Sequence, residues 1–251
     1  MIPRNDSLEV NEFPMKRTIT ITFGDRAENH VGMQIIGTPL KDNSFLNKLD
    51  DFYNYYSETD ECELYDLPCE DETAQLLIVR NYTADIFDEL SKLDWDTKAK
   101  MYGRVCNKKA RYNLCFADFS QEPDYENGMG RVIYFKEEEY LSMIREQLEE
   151  DLERITNKKV PLVAEGNYYY SRTCNIGYHG DSERKLVIGC RFGSPMKLLY
   201  QWHKGKTAVS EEVEFILNPG DVYIMSSKAI GTDWKVCART ERLALRHSAR
   251  F

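Results

Sequence analysis

The first regular pattern in the chain is an alternation. Residues 18–23, Thr-Ile-Thr-Ile-Thr-Phe, switch between polar and apolar at every step, which predicts a half-buried strand closed by Gly24-Asp25. Phe45, Leu46, Leu49, Phe52, Tyr53 and Tyr56 recur at helical spacing and predict a helix over 45–56. Residues 57–73 are acidic, contain Pro68 and read as a surface loop. Leu-Leu-Ile-Val-Arg at 76–80 predicts a buried strand, and Thr83 an N-cap before a short amphipathic helix ending at Leu90. Residues 118–130, with Pro123, Asn127, Gly128 and Gly130, read as a loop. The clearest helix spans 137–157, where Leu141, Ile144, Leu148, Leu152 and Ile155 form one stripe on an otherwise charged cylinder.

From Val160 the period changes. Short apolar segments at 160–164, 166–171, 186–191, 197–202, 212–217, 221–225 and 241–247 are separated by glycines and by Pro219-Gly220. Closely spaced strands after a long helix predict an α+β chain whose C-terminal half is a barrel or jelly roll with flanking helices. Residues 1–74 read as an N-terminal extension or small subdomain packed on a main domain at 75–251.

Composition narrows the classes. The chain has 251 residues, 42% hydrophobic and 30% charged, which excludes disordered and collagen-like chains. No apolar run approaches a membrane span, and residues 1–6 lack the apolar core of a secretory signal. The seven cysteines show no CxxC pair, so reduced thiols and a cytoplasmic or nuclear location are expected. The formal charge is −9, yet residues 168–251 carry 13 Lys and Arg against 8 Asp and Glu, so any anion would be expected to bind in the C-terminal half. There is no Walker lysine loop and no GxGxxG, which leaves nucleotide-hydrolysing and Rossmann readings without support.

Only four histidines exist, at 30, 179, 203 and 247. His203 reads as hairpin surface, and His30 sits in a polar loop bounded by glycine. His179 lies in Gly177-Tyr178-His179-Gly180-Asp181. On an extended chain, residues two apart point to one side, so His179 and Asp181 can reach one ion. An imidazole and a carboxylate at this spacing are two parts of the 2-His-1-carboxylate facial triad of non-haem iron oxygenases. Glu183 and Arg184, beside this pair, are candidates for contact with a substrate or for a surface ion pair.

The order of further motifs carries a resemblance. Leu77-Ile78-Val79-Arg80, Ile86-Phe87-Asp88-Glu89-Leu90 and Trp95 precede Met101-Tyr102-Gly103-Arg104 and Ala110-Arg111. Then come Asn167-Tyr168-Tyr169-Tyr170, His179-Gly180-Asp181-Ser182-Glu183, Val187-Ile188-Gly189-Cys190-Arg191-Phe192-Gly193 and Pro219-Gly220-Asp221-Val222-Tyr223-Ile224-Met225. Over about 75–251 this series resembles the AlkB-like Fe(II)/2-oxoglutarate dioxygenases. The resemblance implies a double-stranded β-helix, Fe(II), 2-oxoglutarate and dioxygen as co-substrates, and hydroxylation of a C–H bond. Its substrate would be an N-methyl or similar group of a modified nucleobase, in a nucleotide or a short single-stranded nucleic acid. Tyr170 matches the family tyrosine that contacts 2-oxoglutarate, Arg246 an arginine that holds its carboxylate, and Arg111 lies in the substrate-side hairpin.

The series departs from the family where a third ligand is due, since Ala229-Ile230-Gly231-Thr232-Asp233-Trp234-Lys235 contains no histidine. His247 from the last strand, Asp233, or no third protein ligand are the alternatives. Strand parity links this choice to the co-substrate. If Arg246 faces inward, Arg242 and Ser248 share its side and the ligand falls to Asp233. If His247 faces the metal, Arg191 or Arg242 must take the carboxylate instead. A small-molecule hydroxylase of the same superfamily, a binding module that has lost its chemistry, and a cupin-like metabolite binder are the competing functions.

Overall fold

The computed structural model describes residues 16–251, and the expectation drawn from residues 1–6 lies outside them. The described chain opens with β1 (Thr18–Gly24), the ribbon β2 (Arg26–Glu28) and β3 (Ile35–Gly37), and helix α1 (Asp50–Tyr56). The hairpin β4 (Cys62–Cys69) and β5 (Glu72–Val79) follows, then α2 (Phe87–Leu90). A second hairpin, β6 (Lys98–Met101) and β7 (Arg104–Asn107), precedes β8 (Tyr112–Ala117), β9 (Val132–Tyr134) and the long helix α3 (Glu139–Thr156). The remainder is β10 (Val163–Tyr169), β11 (Asn175–His179), β12 (Ile188–Gly193), β13 (Met196–Lys204), β14 (Thr207–Ala208), β15 (Val213–Leu217) and β16 (Val222–Met225). Helices α4 (Ser227–Ile230) and α5 (Trp234–Thr240) then lead into β17 (Leu243–Arg250). The fold is α+β, rich in strands and poor in helices.

A large sheet runs in the order β4-β5-β16-β12-β1-β10-β8-β9, and a smaller one in the order β11-β17-β13-β14 with β15 also on β13. The expected boundary near residue 74 is absent. β1 lies between β10 and β12, antiparallel to both, so the first described strand is a central strand of the main sheet. Both of its faces are covered, rather than one. Ile19, Ile21 and Phe23 join the apolar cluster that contains Leu141, Ile144, Leu148 and Leu152 of α3, and Phe23 stacks on Phe135. Thr20 and Thr22 face a cavity between the two sheets.

The acidic stretch expected as a loop contains β4. As an edge strand it turns Tyr65 and Leu67 inward, opposite Leu76 and Ala74 of β5, exposes Asp66, and holds the partly buried Glu63 against Arg80. An edge strand also tolerates Pro68. The helix expected over 45–56 is a 3-10 turn at Ser44–Leu46 followed by α1, and the two strands expected at 160–171 are the single strand β10.

Helix α3 is anchored by Asp151. The hydroxyls of Tyr55, Tyr56 and Tyr82 donate to this carboxylate at 2.8, 3.0 and 2.8 Å, tying α3 to α1 and to the turn after β5. No disulfide forms among the seven cysteines, and no helix of the described residues is long and apolar enough to cross a membrane.

Candidate metal centre

The inner faces of the two sheets enclose a cavity of about 420 Å³. Glu165, Asn167 and Tyr169 point into it at every second position of β10, Arg191 enters from β12, and His179 and His247 from β11 and β17. His179 and His247 are directly opposed in the β11–β17 register, just past an irregularity that begins at Ile176. Asp181 follows on the turn after β11.

One ligand atom from each of His179, Asp181 and His247 lies within 4.8 Å of the others, and among the described residues no other set of three such groups does so. Both imidazoles turn Nε2 toward the same carboxylate oxygen, Asp181 Oδ1, at 3.4 Å from His179 and 3.7 Å from His247. His179 Nδ1 lies 2.8 Å from the Gly177 carbonyl. A carbonyl only accepts, so Nδ1 carries the proton and Nε2 keeps its lone pair for an ion. The other Asp181 oxygen, Oδ2, lies 3.4 Å from Arg184 Nε. The carboxylate is thus divided, one oxygen held by a guanidinium and one presented with the imidazoles.

The backbone between the two ligands is tightly fitted. Asp181 N–H donates to the Ile230 carbonyl at 2.9 Å. A Cβ at Gly180 would fall on the Gly231 carbonyl and lie 2.7 Å from the Trp234 ring, so the residue between His and Asp has no room for a side chain.

Charge states suit a cation. Burial would raise the Asp181 carboxyl, but Arg184 and the two imidazoles outweigh it and hold it well below the usual range. Burial lowers the His247 imidazole and His179 lowers it further, which favours the neutral, ligating form. Burial also disfavours the Arg184 cation, yet Asp181, Glu165 and Glu183 together hold it firmly protonated. Two imidazoles and one carboxylate form a donor set for a divalent first-row metal.

The structure redistributes the other expected residues. Asp233, one of the alternatives for third ligand, stands at the N-terminus of α5, 3.4 Å from Lys228 Nζ and 3.3 Å from Cys237 Sγ, and is not in the cluster. Tyr170 points away from the cavity. Its hydroxyl donates to the Lys109 carbonyl at 2.9 Å and its ring stacks on Tyr112, while the alternation of β10 brings Tyr169 inward instead. Arg246, next to the inward His247, donates to the Gly205 carbonyl at 2.5 Å and lies over Trp234. The Ser248 hydroxyl donates to the Ile176 carbonyl at 2.8 Å, and Arg242 is exposed beside Thr240. Of these five only Ser248 lines the cavity, and its hydroxyl proton is given to the Ile176 carbonyl.

Arg191 also lines the cavity. Its side chain is 1% exposed, it forms no ion pair among the described residues, and Nη1 donates to Thr20 Oγ1 at 2.6 Å while Nε has no partner. Glu183 and Arg184 are not a surface pair. Both line the cavity, and Arg184 is buried, donating to Glu165 and, at 2.9 Å, to Glu183. Arg111 lines the cavity and donates to Asn167 Oδ1 at 2.5 Å. His203 is buried beside Tyr178 rather than on a hairpin surface.

Sequence reasoning missed Tyr169 and Thr20, for which the alternation of β10 and β1 was the available signal. It also missed Glu28 at the cavity mouth. Burial pushes the Glu28 carboxyl up to about 7, against the Gly32 N–H that donates to it at 2.7 Å. The folded chain therefore favours the neutral acid. That contribution is present below the ordinary glutamate range and is lost as pH rises through about 7. Glu28→Gln keeps the acceptor, so thermal unfolding is expected to show a higher midpoint than wild type at pH 8 and a smaller gain at pH 5.

No family model matches the chain. An uncharacterized protein of Acanthamoeba polyphaga mimivirus is 46% identical to it over 237 residues, which cover 88% of this chain and 92% of the viral protein.

Proposed function

The chain belongs to the same family as that mimivirus protein, and we propose that it is an Fe(II)- and 2-oxoglutarate-dependent dioxygenase of AlkB-like type. In this reading β16-β12-β1-β10 and β11-β17-β13-β15 are the two halves of a double-stranded β-helix. The observation that carries the proposal is the meeting, in one cavity, of the His179–Asp181–His247 donor set with a buried arginine that lacks a counter-ion. The donor set fits Fe(II). Arg191 fits the far carboxylate of 2-oxoglutarate, because a guanidinium takes a carboxylate in two parallel hydrogen bonds and burial strengthens them.

His179 Nε2, Asp181 Oδ1 and His247 Nε2 would hold the metal. Together, iron, 2-oxoglutarate and dioxygen supply hydroxylation of a C–H bond, with succinate and carbon dioxide as co-products. The chain's own part is positional. The Gly177 carbonyl fixes the His179 ring, Arg184 keeps Asp181 ionised and aimed, and Arg191 with Thr20 sets the direction of the co-substrate. Tyr169, Leu198 and Tyr223 wall the cavity and keep water from the reacting centre.

A modified nucleobase in a nucleotide or short single strand is the substrate class we favour. Residues 98–111 contain six Lys and Arg and no acid, in a chain of charge −9. They run through the β6–β7 hairpin to Arg111 on the cavity wall, with Lys98, Arg104 and Lys109 exposed and Lys108 buried against Asn29. Such a stretch suits phosphates, and the salt dependence of binding separates a polynucleotide, with a steep slope, from a small anion, with a shallow one.

The test is an anaerobic titration with Fe(II) and 2-oxoglutarate, watching the visible metal-to-ligand charge-transfer band. Wild type and Asp233→Ala are expected to develop the band, and His247→Ala to lose it. A folded wild-type protein that gives no band overturns the proposal and favours a binding module.

A further inference from the structure

The mouth of the metal cavity lies between two stretches of unpaired positive charge. On the large-sheet side, the β6–β7 hairpin leads into Arg111 on the cavity wall. On the small-sheet side, α5 packs against β17 and β13 and brings Lys235 to the rim. The exposed Lys98, Arg104 and Lys109 and the half-buried Arg111 form no ion pair among the described residues. Neither do the exposed Lys206, Lys235, Arg239 and Arg242. Lys206 stands beside α5, since a Cβ at the neighbouring Gly205 would lie 3.8 Å from the Ala238 carbonyl.

By contrast, behind the large sheet Arg145 and Arg154 of α3 and Lys158 and Lys159 after it each pair with a carboxylate. In a chain of charge −9, cations left unpaired on both flanks of one cavity suit an anion supplied from outside. The hairpin tip adds an aromatic ring. Tyr102 and Gly103 close the β6–β7 turn with φ of +53° and +77°, both left-handed, and Met101 pairs with Arg104 across it. Such a two-residue turn favours Asn or Asp at its first position, and a bulky residue there is strained. Tyr102 is nonetheless 100% exposed, so its ring packs against nothing in the fold.

We propose that a single-stranded nucleic acid lies across this mouth, its phosphates held by the hairpin on one flank and by α5 with Lys206 on the other, and one of its bases stacked on Tyr102. Every base has a flat face, so an aromatic ring and a line of cations together suit a single strand. A free nucleotide carries phosphate at one point only and cannot engage both flanks. Tyr102 lies six strand positions from Lys108, at most about 20 Å at roughly 3.3 Å each, so stacking there draws on several nucleotides. The target base would enter the cavity, and in that respect alone the track rests on the dioxygenase reading.

The probe is a fluorescein-labelled oligothymidylate of about 12 nucleotides, titrated by fluorescence anisotropy with the full chain, without metal or 2-oxoglutarate. Its outcome is therefore separate from that of the charge-transfer band. The logarithm of the binding constant is expected to fall with that of the salt concentration at a slope of about −3, or roughly four phosphates at −0.7 each. The double substitution Arg239→Gln, Arg242→Gln is expected to flatten this slope by about 1.4, and Lys158→Gln, behind the large sheet, to leave it unchanged. Tyr102→Asn is expected to weaken binding about tenfold at an unchanged slope while raising the unfolding midpoint, because Asn suits the turn. Thymidine monophosphate is expected to compete at least a hundredfold more weakly than the unlabelled oligonucleotide. A slope unchanged by the α5 substitutions overturns the two-flank track, and an affinity unchanged by Tyr102→Asn overturns the stacking. Polyglutamate that displaces the probe as well as the unlabelled oligonucleotide does overturns the choice of a nucleic acid.

Discussion

In Arg191→Met, 2-oxoglutarate affinity is expected to fall by about two to three orders of magnitude while the protein becomes more stable. The affinity loss follows from removing one partner of a buried, hydrogen-bonded charge pair, which costs about 2–5 kcal/mol. The stability gain follows from the state of Arg191 in the free chain. Burial alone pushes this guanidinium below its ordinary value, Tyr223, Tyr169 and Asp221 only partly offset the penalty, and no carboxylate pairs with it. Replacing such a charge by an apolar side chain of similar reach removes a desolvation cost, and a gain of about 1–2 kcal/mol is reasonable. Isothermal titration and thermal unfolding on one preparation test both halves. An unchanged affinity would sink the assignment of Arg191, and a lower midpoint would show that its bond to Thr20 outweighs its desolvation.

Arg184→Met is expected to do the reverse to the fold. Arg184 stands among Asp181, Glu165 and Glu183, and without it these carboxylates share a buried space with no cation between them. Breaking a buried ion pair from one side costs about 3–5 kcal/mol, or roughly 10 °C in the unfolding midpoint of a chain this long. The sign with pH is fixed. The ion pairs depress Asp181, so their contribution is present above the ordinary aspartate range and is lost as pH falls through the folded value. Without the guanidinium the carboxylates protonate more readily, so the deficit should be larger at pH 8 than at pH 5. Thermal unfolding at the two pH values tests this, and an equal deficit at both would contradict the electrostatic account.

The elements legible in the sequence are those whose period is set by burial on one side. The stripe of α3 and the alternation of β1 are of this kind. β4 was illegible because an edge strand with a solvated face carries the composition of an acidic loop. The proximity of His179 and Asp181 was readable because it is local, two residues on one extended segment. The position of His247 depended on the register of β11 against β17, which lies in no local pattern, whereas the opposition of Arg246 and His247 needed only strand parity. The same parity, applied from Glu165 and Asn167, distinguishes Tyr169 from Tyr170, and an error of one residue there exchanges the two faces. The division at residue 74 failed because composition does not reveal that an early strand pairs with late ones.

That pairing has a kinetic meaning. Thr18 of β1 is in register with Tyr169 and with Gly193, 151 and 175 residues further along. β10 and β12 meet only through β1, so the large sheet has no continuous middle until more than three-quarters of the chain has been synthesised. Loops of this length are entropically expensive to close before any contact repays them, so high contact order and slow folding follow. Until then Ile19, Ile21 and Phe23 form an unpaired apolar edge, a target for holding chaperones and a site of misassociation. The His179–Asp181–His247 cluster needs β17 as well as β11, so a metal held there would not nucleate the fold and would stabilise it only after closure.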